Sequence, residues 1–219
     1  PGMTVMAPRD GQELEAMLRF GAAHTKGPIA VRYPRGAVAE ETGSALKDIV
    51  SAPIQEGRAE ILRQGKDAAF LAYGSMVYPA YEAAEHLSKE GIEVTVVNAR
   101  FVKPLDEDLL KALAKDTKLF VTLEEGSVQG GFGSAVLEFF ENAQNSGHLT
   151  AAPRVRVLGI PDRFIEHGKR DVLMDSIGLS AQKIKEEALR LLRPSAREAL
   201  QATNGTNGHH TQKELWQKL

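Results

Sequence analysis

A pair of adjacent carboxylates next to a glycine-rich stretch is the first candidate for chemistry in this sequence. Glu124 and Glu125 follow an apolar run at 119–123 and precede Gly126 and three further glycines at 130–133. Two neighbouring carboxylates can act as an acid/base pair, and glycines let the backbone approach another group closely. The stretch predicts either a ligand-binding or partner-binding edge of a sheet, or a structural turn between a strand and a helix.

The glycines also resemble part of a dinucleotide-binding fingerprint. In the stretch 131–136, Val136 occupies the position at which G-x-G-x-x-G/A requires its third small residue. A valine there would push the helix away from the strand. We therefore exclude a dinucleotide site. Ser134 lies at the start of the predicted helix, and we expect its side chain to accept hydrogen bonds from the first free N–H groups of that helix.

Alternating strand and helix patterns surround this stretch and predict an α/β fold with a mostly parallel sheet. A capping box, Asp10 with Glu13, begins the first helix, while Ser75 and Asp106 are expected to cap two later ones. Strands are predicted at 29–33, 57–63, 67–73, 92–97, 119–123 and 155–159. Helices are predicted at 11–25, after Ser75, after Asp106, and at 133–144, 170–177 and 180–192.

Composition narrows the function classes. The balance of 27 basic against 29 acidic residues gives no basic footprint for nucleic acid or for a membrane surface. The absence of cysteine excludes disulfides, thiolate chemistry and Cys-ligated metal sites. Since no apolar run approaches the roughly 20 residues that a bilayer needs, we expect a soluble, intracellular protein. Because Pro1 leads directly into a strand-like segment, the chain is expected to begin inside a longer protein.

Several motifs together resemble one family, the 1-deoxy-D-xylulose-5-phosphate synthases of the transketolase superfamily. The resemblance covers roughly residues 1–192. The motifs are Met6-Ala7-Pro8, Ala30-Val31-Arg32-Tyr33-Pro34-Arg35-Gly36, Asn98-Ala99-Arg100-Phe101-Val102-Lys103-Pro104-Leu105-Asp106, Glu124-Glu125-Gly126 with Gly130-Gly131-Phe132-Gly133-Ser134, and Gly159-Ile160-Pro161-Asp162-Arg163-Phe164-Ile165-Glu166-His167-Gly168.

The resemblance implies a domain arrangement. Residues 1–36 would be the end of a pyrimidine-binding domain, and 54–193 a transketolase C-terminal domain with a mostly parallel, mixed sheet flanked by helices. A linker at 37–53 would join them. Residues 194–219 are polar and are expected to form a flexible tail.

The resemblance also implies an activity. Members of this family use thiamine diphosphate and Mg²⁺ to condense pyruvate with D-glyceraldehyde 3-phosphate, with loss of carbon dioxide. The product, 1-deoxy-D-xylulose 5-phosphate, feeds isoprenoid, thiamine and pyridoxal biosynthesis. The expected partners are the N-terminal domains of the same protein and a second copy in a homodimer. The expected location is the cytoplasm of a bacterium, or the plastid of a plant or alga.

Arg35 is the principal site residue that the resemblance implies, as a ligand of the aldehyde's phosphate. A guanidinium held by an adjacent proline and glycine at the end of a strand offers a bidentate fork to phosphate oxygens. Arg32 lies close enough in sequence to assist, although strand alternation leaves its direction open. Away from this motif, an arginine after a strand more often forms a surface salt bridge.

Other polar residues receive structural roles. In the family the cofactor-activating glutamate belongs to an upstream domain, so Glu124 and Glu125 are expected to stabilise the loop or a dimer contact. His167 is expected to be a hydrogen-bonded structural histidine, with a site role as the alternative. Arg100 and Lys103 are expected to form a local ion-pair cluster with Asp106.

The sequence lacks the Gly-Asp-Gly motif with a downstream Asn that the family uses for Mg²⁺ and diphosphate. We therefore expect that the chain alone binds neither cofactor nor metal tightly and is inactive. The sequence is also compatible with two alternative identities for the chain. One is the C-terminal part of a 2-oxo acid dehydrogenase β subunit or of a transketolase, and the other is a non-catalytic dimerisation domain.

Overall fold

A computed structural model of the chain describes residues 1–36, 46, 49 and 52–193, which form eight strands and six α-helices. In chain order these are β1 (Thr4–Met6), α1 (Gly11–Ala23), β2 (Ile29–Val31), β3 (Glu60–Arg63), β4 (Ala68–Tyr73), α2 (Val77–Ser88), β5 (Val94–Asn98), β6 (Phe101–Lys103), α3 (Glu107–Ala114), β7 (Leu119–Ser127), α4 (Phe132–Asn145), β8 (Arg154–Ile160), α5 (Arg170–Ser176) and α6 (Ala181–Leu192). The described residues up to 185 form one compact unit, and the described residues 186–193 belong to a second.

The larger sheet has five strands in the order β3-β5-β4-β7-β8. The strands β5, β4, β7 and β8 are parallel, and β3 pairs antiparallel with β5 at one edge. This confirms the predicted mostly parallel, mixed sheet. All six residues of β4 are buried, as expected for a central strand that is covered on both faces. The carboxyl ends of β4 and β7 therefore meet at one edge, with Tyr73 paired to Glu124.

Aromatic residues of α4 pack on the central strands of this sheet. Phe140 lies with its ring centroid 5.0 Å from that of Phe120 on β7, and Phe132 stacks on Tyr73 of β4 at 5.2 Å. Burying a phenylalanine side chain contributes about 1.5–3 kcal/mol. These contacts fix the start of α4 against the ends of β4 and β7.

The N-terminal residues form a β-α-β unit, as predicted. Its strands β1 and β2 are parallel, and Asp10 Oδ1 accepts a hydrogen bond from Glu13 N at 2.8 Å to cap α1. The second half of the predicted capping box differs, since Glu13 Oε2 accepts from Arg9 N at 2.7 Å. The sheet has a third strand, because β6 pairs antiparallel with β1 in the order β2-β1-β6. None of the strands predicted from the sequence corresponds to β6.

Arg100, between β5 and β6, connects the N-terminal unit to the larger sheet. Its Nε donates to Glu13 Oε1 of α1 at 2.7 Å, and its Nη2 donates to Glu60 Oε2 of β3 at 3.0 Å. The predicted cluster of Arg100, Lys103 and Asp106 is therefore wrong. Asp106 instead pairs with Arg58 at 3.2 Å and caps α3. Arg100 is buried with a left-handed backbone (φ 57°), and its carboxylate partners belong to elements that are distant in sequence.

Two predicted segments lie largely or wholly outside the residues that the structure describes. The linker at 37–53 is described only at residues 46, 49, 52 and 53, and the tail at 194–219 is not described. The predicted domain boundaries remain predictions. Among the described helices, none has both the length and the apolar character that crossing a bilayer requires.

Candidate functional site

A cavity of about 320 Å³ lies where the ends of β2, β4 and β7 come together. Its volume is at the lower end of the range for small-molecule pockets. The lining residues are Ala7, Arg32, Tyr33, Pro34, Arg35, Tyr73, Gly74, Ser75 and Glu125. The segment after β2 therefore faces the carboxyl edge of the larger sheet, which is the edge at which open α/β sheets bind ligands.

The two arginines that the resemblance singled out both line this cavity. Arg32 Nη2 donates to the backbone carbonyl of Glu125 at 2.5 Å, which ties the arginine segment to β7. Arg35 is exposed, and it has no hydrogen bond or ion pair with any residue that the structure describes. Its guanidinium donors are consequently available to an anion in the cavity.

Glu125 also lines the cavity, and its carboxylate is held by residues of two other elements. Its Oε1 accepts from Arg170 Nε of α5 at 3.1 Å, and its Oε2 accepts from Arg170 Nη2 at 2.5 Å and from Ser75 Oγ at 2.6 Å. Burial raises the pKa of this carboxyl, but the hydrogen bonds from Arg170 and Ser75 and the positive charges of Arg170 and Arg32 together outweigh burial, so the pKa lies below its ordinary value. Glu125 is therefore ionised at neutral pH.

Glu124 is buried and has a structural role. Its Oε2 accepts from Phe132 N at 2.9 Å and its Oε1 from Gly133 N at 2.8 Å, so the carboxylate satisfies two free N–H groups at the start of α4. This agrees with the expectation that Glu124 stabilises the loop. The expected cap by Ser134 is wrong, since Ser134 Oγ accepts from Gly130 N, before the helix. A carboxylate reaching from the strand takes that place.

Glycines make this close approach of helix and strand possible. A Cβ at Gly133 would lie 2.5 Å from Val157 Cγ1 of β8 and 2.7 Å from Thr122 Oγ1 of β7. A Cβ at Gly131 would collide with the carboxylate of Glu124. The glycine-rich stretch is therefore a packed strand-to-helix connection beside the cavity.

Ser75 and Tyr73, at the end of β4, were not predicted as cavity residues. Ser75 was expected to cap a helix, but its hydroxyl donates to Glu125, and α2 begins at Val77 without a side-chain cap. The Tyr73 hydroxyl is buried without a hydrogen-bond partner among the described residues, and burial raises its pKa. Their position after an apolar run was the available signal, because such a run ends at the ligand edge of a parallel sheet.

His167 is exposed and is not among the residues that line the cavity. Its expected structural role remains a prediction. The described residues also contain no group of three or more His, Asp or Glu side chains that could hold a metal ion.

Comparison with known proteins adds an independent line of evidence. Residues 57–184 match the family model "Transketolase, C-terminal domain". The chain is 47% identical over 191 residues to the 1-deoxy-D-xylulose-5-phosphate synthase of Rippkaea orientalis, and 45% identical over 206 residues to that of Synechococcus sp.. These matches cover 87% and 91% of this chain but only 29% and 30% of the relatives. The chain therefore spans less than a third of the length of these relatives.

A solved structure described as a split-gene transketolase in an inactive β4 tetramer is also similar. Its TM-score is 0.72 and its sequence identity 31%, over 88% of this chain and 58% of that chain. Family model, relatives and structure agree with the resemblance drawn from the motifs. The chain belongs to the transketolase family, and its sequence corresponds to the C-terminal part of the 1-deoxy-D-xylulose-5-phosphate synthases.

Proposed function

We propose that this chain supplies the phosphate-binding side of the active site in a thiamine-diphosphate-dependent 1-deoxy-D-xylulose-5-phosphate synthase. Arg35 would bind the phosphate of D-glyceraldehyde 3-phosphate, with Arg32 beside it. The observation that supports this is the convergence of both arginines on one cavity, with the Arg35 guanidinium available. Thiamine diphosphate would supply the carbanion chemistry on pyruvate. The described residues bind and orient the aldehyde substrate.

Charge in the cavity supports an anionic ligand. Arg32 and Arg35 carry two positive charges, while the negative charge of Glu125 is paired with Arg170 of α5. The side near the arginines therefore retains an excess of positive charge. Guanidinium groups bind phosphate through paired N–H donors, and such charge-assisted hydrogen bonds are short and strong.

Arg35→Gln is expected to weaken binding of inorganic phosphate by the 219-residue chain on the order of tenfold to a hundredfold, because each lost hydrogen bond to a charged group costs about 1.5–3 kcal/mol. Arg154→Gln is the matched control, since Arg154 is exposed at the opposite end of the sheet, where β8 begins. Isothermal titration calorimetry measures both. Equal affinities in the two variants would contradict a phosphate site at Arg35.

We also propose that the chain forms a homodimer in the enzyme and acts in the cytoplasm of a bacterium or in a plastid. Phe164 is fully exposed, and Val172 nearby in sequence is largely exposed. Such exposed apolar side chains are typical of interaction surfaces. Light scattering coupled to size exclusion should give the mass of a dimer, and a monomer mass at all concentrations would contradict this.

The catalytic parts for cofactor activation are proposed to lie in segments that this sequence does not contain, so that the 219-residue chain is inactive by itself. The support is the absence of the Gly-Asp-Gly motif from the sequence, together with a match that spans less than a third of the length of the relatives. Formation of 1-deoxy-D-xylulose 5-phosphate by the chain alone, given both substrates, thiamine diphosphate and Mg²⁺, would contradict it.

A further inference from the structure

Two residues that line the cavity besides the arginines, Glu125 and Ser75, offer hydrogen-bond acceptors. Each carboxylate oxygen can accept two hydrogen bonds. Glu125 Oε2 accepts two, from Ser75 Oγ and Arg170 Nη2, whereas Oε1 accepts one, from Arg170 Nε, among the described residues. Oε1 therefore retains an acceptor position in a carboxylate that lines the cavity.

Ser75 also offers a hydrogen-bond acceptor to the cavity. Its hydroxyl proton is donated to Glu125 Oε2 at 2.6 Å, so its oxygen can offer only lone pairs to a ligand. The cavity is consequently lined both by donors, from Arg32 and Arg35, and by acceptors, from Glu125 and Ser75.

Arg170 fixes the orientation of the Glu125 carboxylate. Its guanidinium contacts both oxygens of Glu125, and the pair joins α5 to the end of β7. The Glu125 side chain is about one quarter exposed, so it is held in place and is still accessible. Arg170 neutralises the carboxylate charge without occupying its last acceptor position.

We propose that Glu125 is a specificity-determining residue of this cavity, whose carboxylate accepts a hydrogen bond from a hydroxyl group of a ligand that places its phosphate on Arg35. Arg170 is the positioning residue that orients the carboxylate. This inference rests on the proposed phosphate site and adds a second requirement to it. A short, hydroxylated phosphate monoester carries both groups, so the guanidinium donors and the carboxylate acceptor together favour one orientation of it.

The test compares two dianionic ligands of similar size, sn-glycerol 3-phosphate and n-propyl phosphate, which differ by two hydroxyl groups. Isothermal titration calorimetry is carried out on the full 219-residue chain. We expect the wild-type chain to bind glycerol 3-phosphate about tenfold more tightly, which one hydrogen bond to a charged group can supply. In Glu125→Gln this preference should fall to about onefold, while propyl phosphate binds as well as before or better.

Glu166→Gln is the matched control, because Glu166 is exposed and is not a lining residue of the cavity. It should keep the tenfold preference. Arg170→Gln should lose the preference and also weaken propyl phosphate binding, because Glu125 is then neither oriented nor paired with a positive charge. If Glu125→Gln fails to fold, Glu125→Asp replaces it, since it keeps the charge but withdraws the carboxylate by one methylene.

The outcomes separate this inference from the proposed function. A wild-type chain that binds both ligands equally, or a Glu125→Gln chain that keeps the preference, overturns the role of Glu125 and leaves the phosphate site standing. A wild-type chain that binds neither ligand overturns both. Loss of the preference in both Glu125→Gln and Arg170→Gln, with propyl phosphate affinity retained in Glu125→Gln, supports the inference.

Discussion

Glu13→Gln is expected to lower the free energy of unfolding by about 3–5 kcal/mol, since it breaks a buried ion pair by removing one partner. The Glu13 side chain is fully buried. Its Oε1 accepts from Arg100 Nε at 2.7 Å and from Asn98 Nδ2 at 2.8 Å, and its Oε2 accepts from Arg9 N at 2.7 Å. A glutamine amide would turn a donor towards one of these donors, and Arg100 would lose half of its charge compensation.

The matched control is Glu15→Gln in the same helix. Glu15 is exposed and pairs only with Arg19, one turn further on, among the described contacts. Exposed pairs of this kind contribute about 0.3–0.5 kcal/mol. Urea unfolding followed by circular dichroism measures both variants. If Glu13→Gln lowered the free energy of unfolding by less than about 1 kcal/mol, with an unchanged m-value, the ion pair of Glu13 with Arg100 would not stabilise the fold as expected.

The second large effect is expected for Glu124→Ala, at about 2–4 kcal/mol. The substitution leaves the N–H groups of Phe132 and Gly133 buried without an acceptor, and an unpaired buried donor costs about 1–3 kcal/mol. It also removes packed side-chain volume between β7 and α4. Glu124→Gln retains one acceptor oxygen and should lose less than Glu124→Ala.

Glu138→Ala provides the control for this prediction. Glu138 lies on the exposed side of the same helix, α4, and substitutions at such positions change stability by about 0.5 kcal/mol or less. Thermal and urea unfolding of the three variants give the comparison. If Glu124→Ala were as stable as Glu138→Ala, Glu124 would not cap α4.

The order of strands and helices could be predicted from the sequence because hydrophobic periodicity is a local property. The run 68–73 is apolar throughout and forms a fully buried central strand. The short strand β6 was missed, because its three residues are defined by pairing with β1, almost a hundred positions earlier. The ion pair of Glu13 with Arg100 spans 87 positions and has no local signal.

The candidate site shows the same limit. Arg32 and Arg35 could be singled out from the sequence because a contiguous motif contains both, and both line the cavity. Arg170 and Ser75 were missed because each belongs to an element that is distant in sequence from Glu125. The helix caps expected from Ser75 and Ser134 were wrong for a related reason. Short hydroxyl side chains near a helix start are a local signal, and ionised carboxylates arriving from a neighbouring strand are stronger acceptors.

The position of β1 between β2 and β6 has a consequence for how the polypeptide could be divided. Residues 1–36 contribute two strands and a helix. The free edge of β1 pairs with β6, and Glu13 of α1 forms an ion pair with Arg100. A peptide of residues 1–36 and a polypeptide of residues 52–219 would each present the half that the other lacks. Mixed together, they should reconstitute non-covalently, in the manner of a complementing split protein.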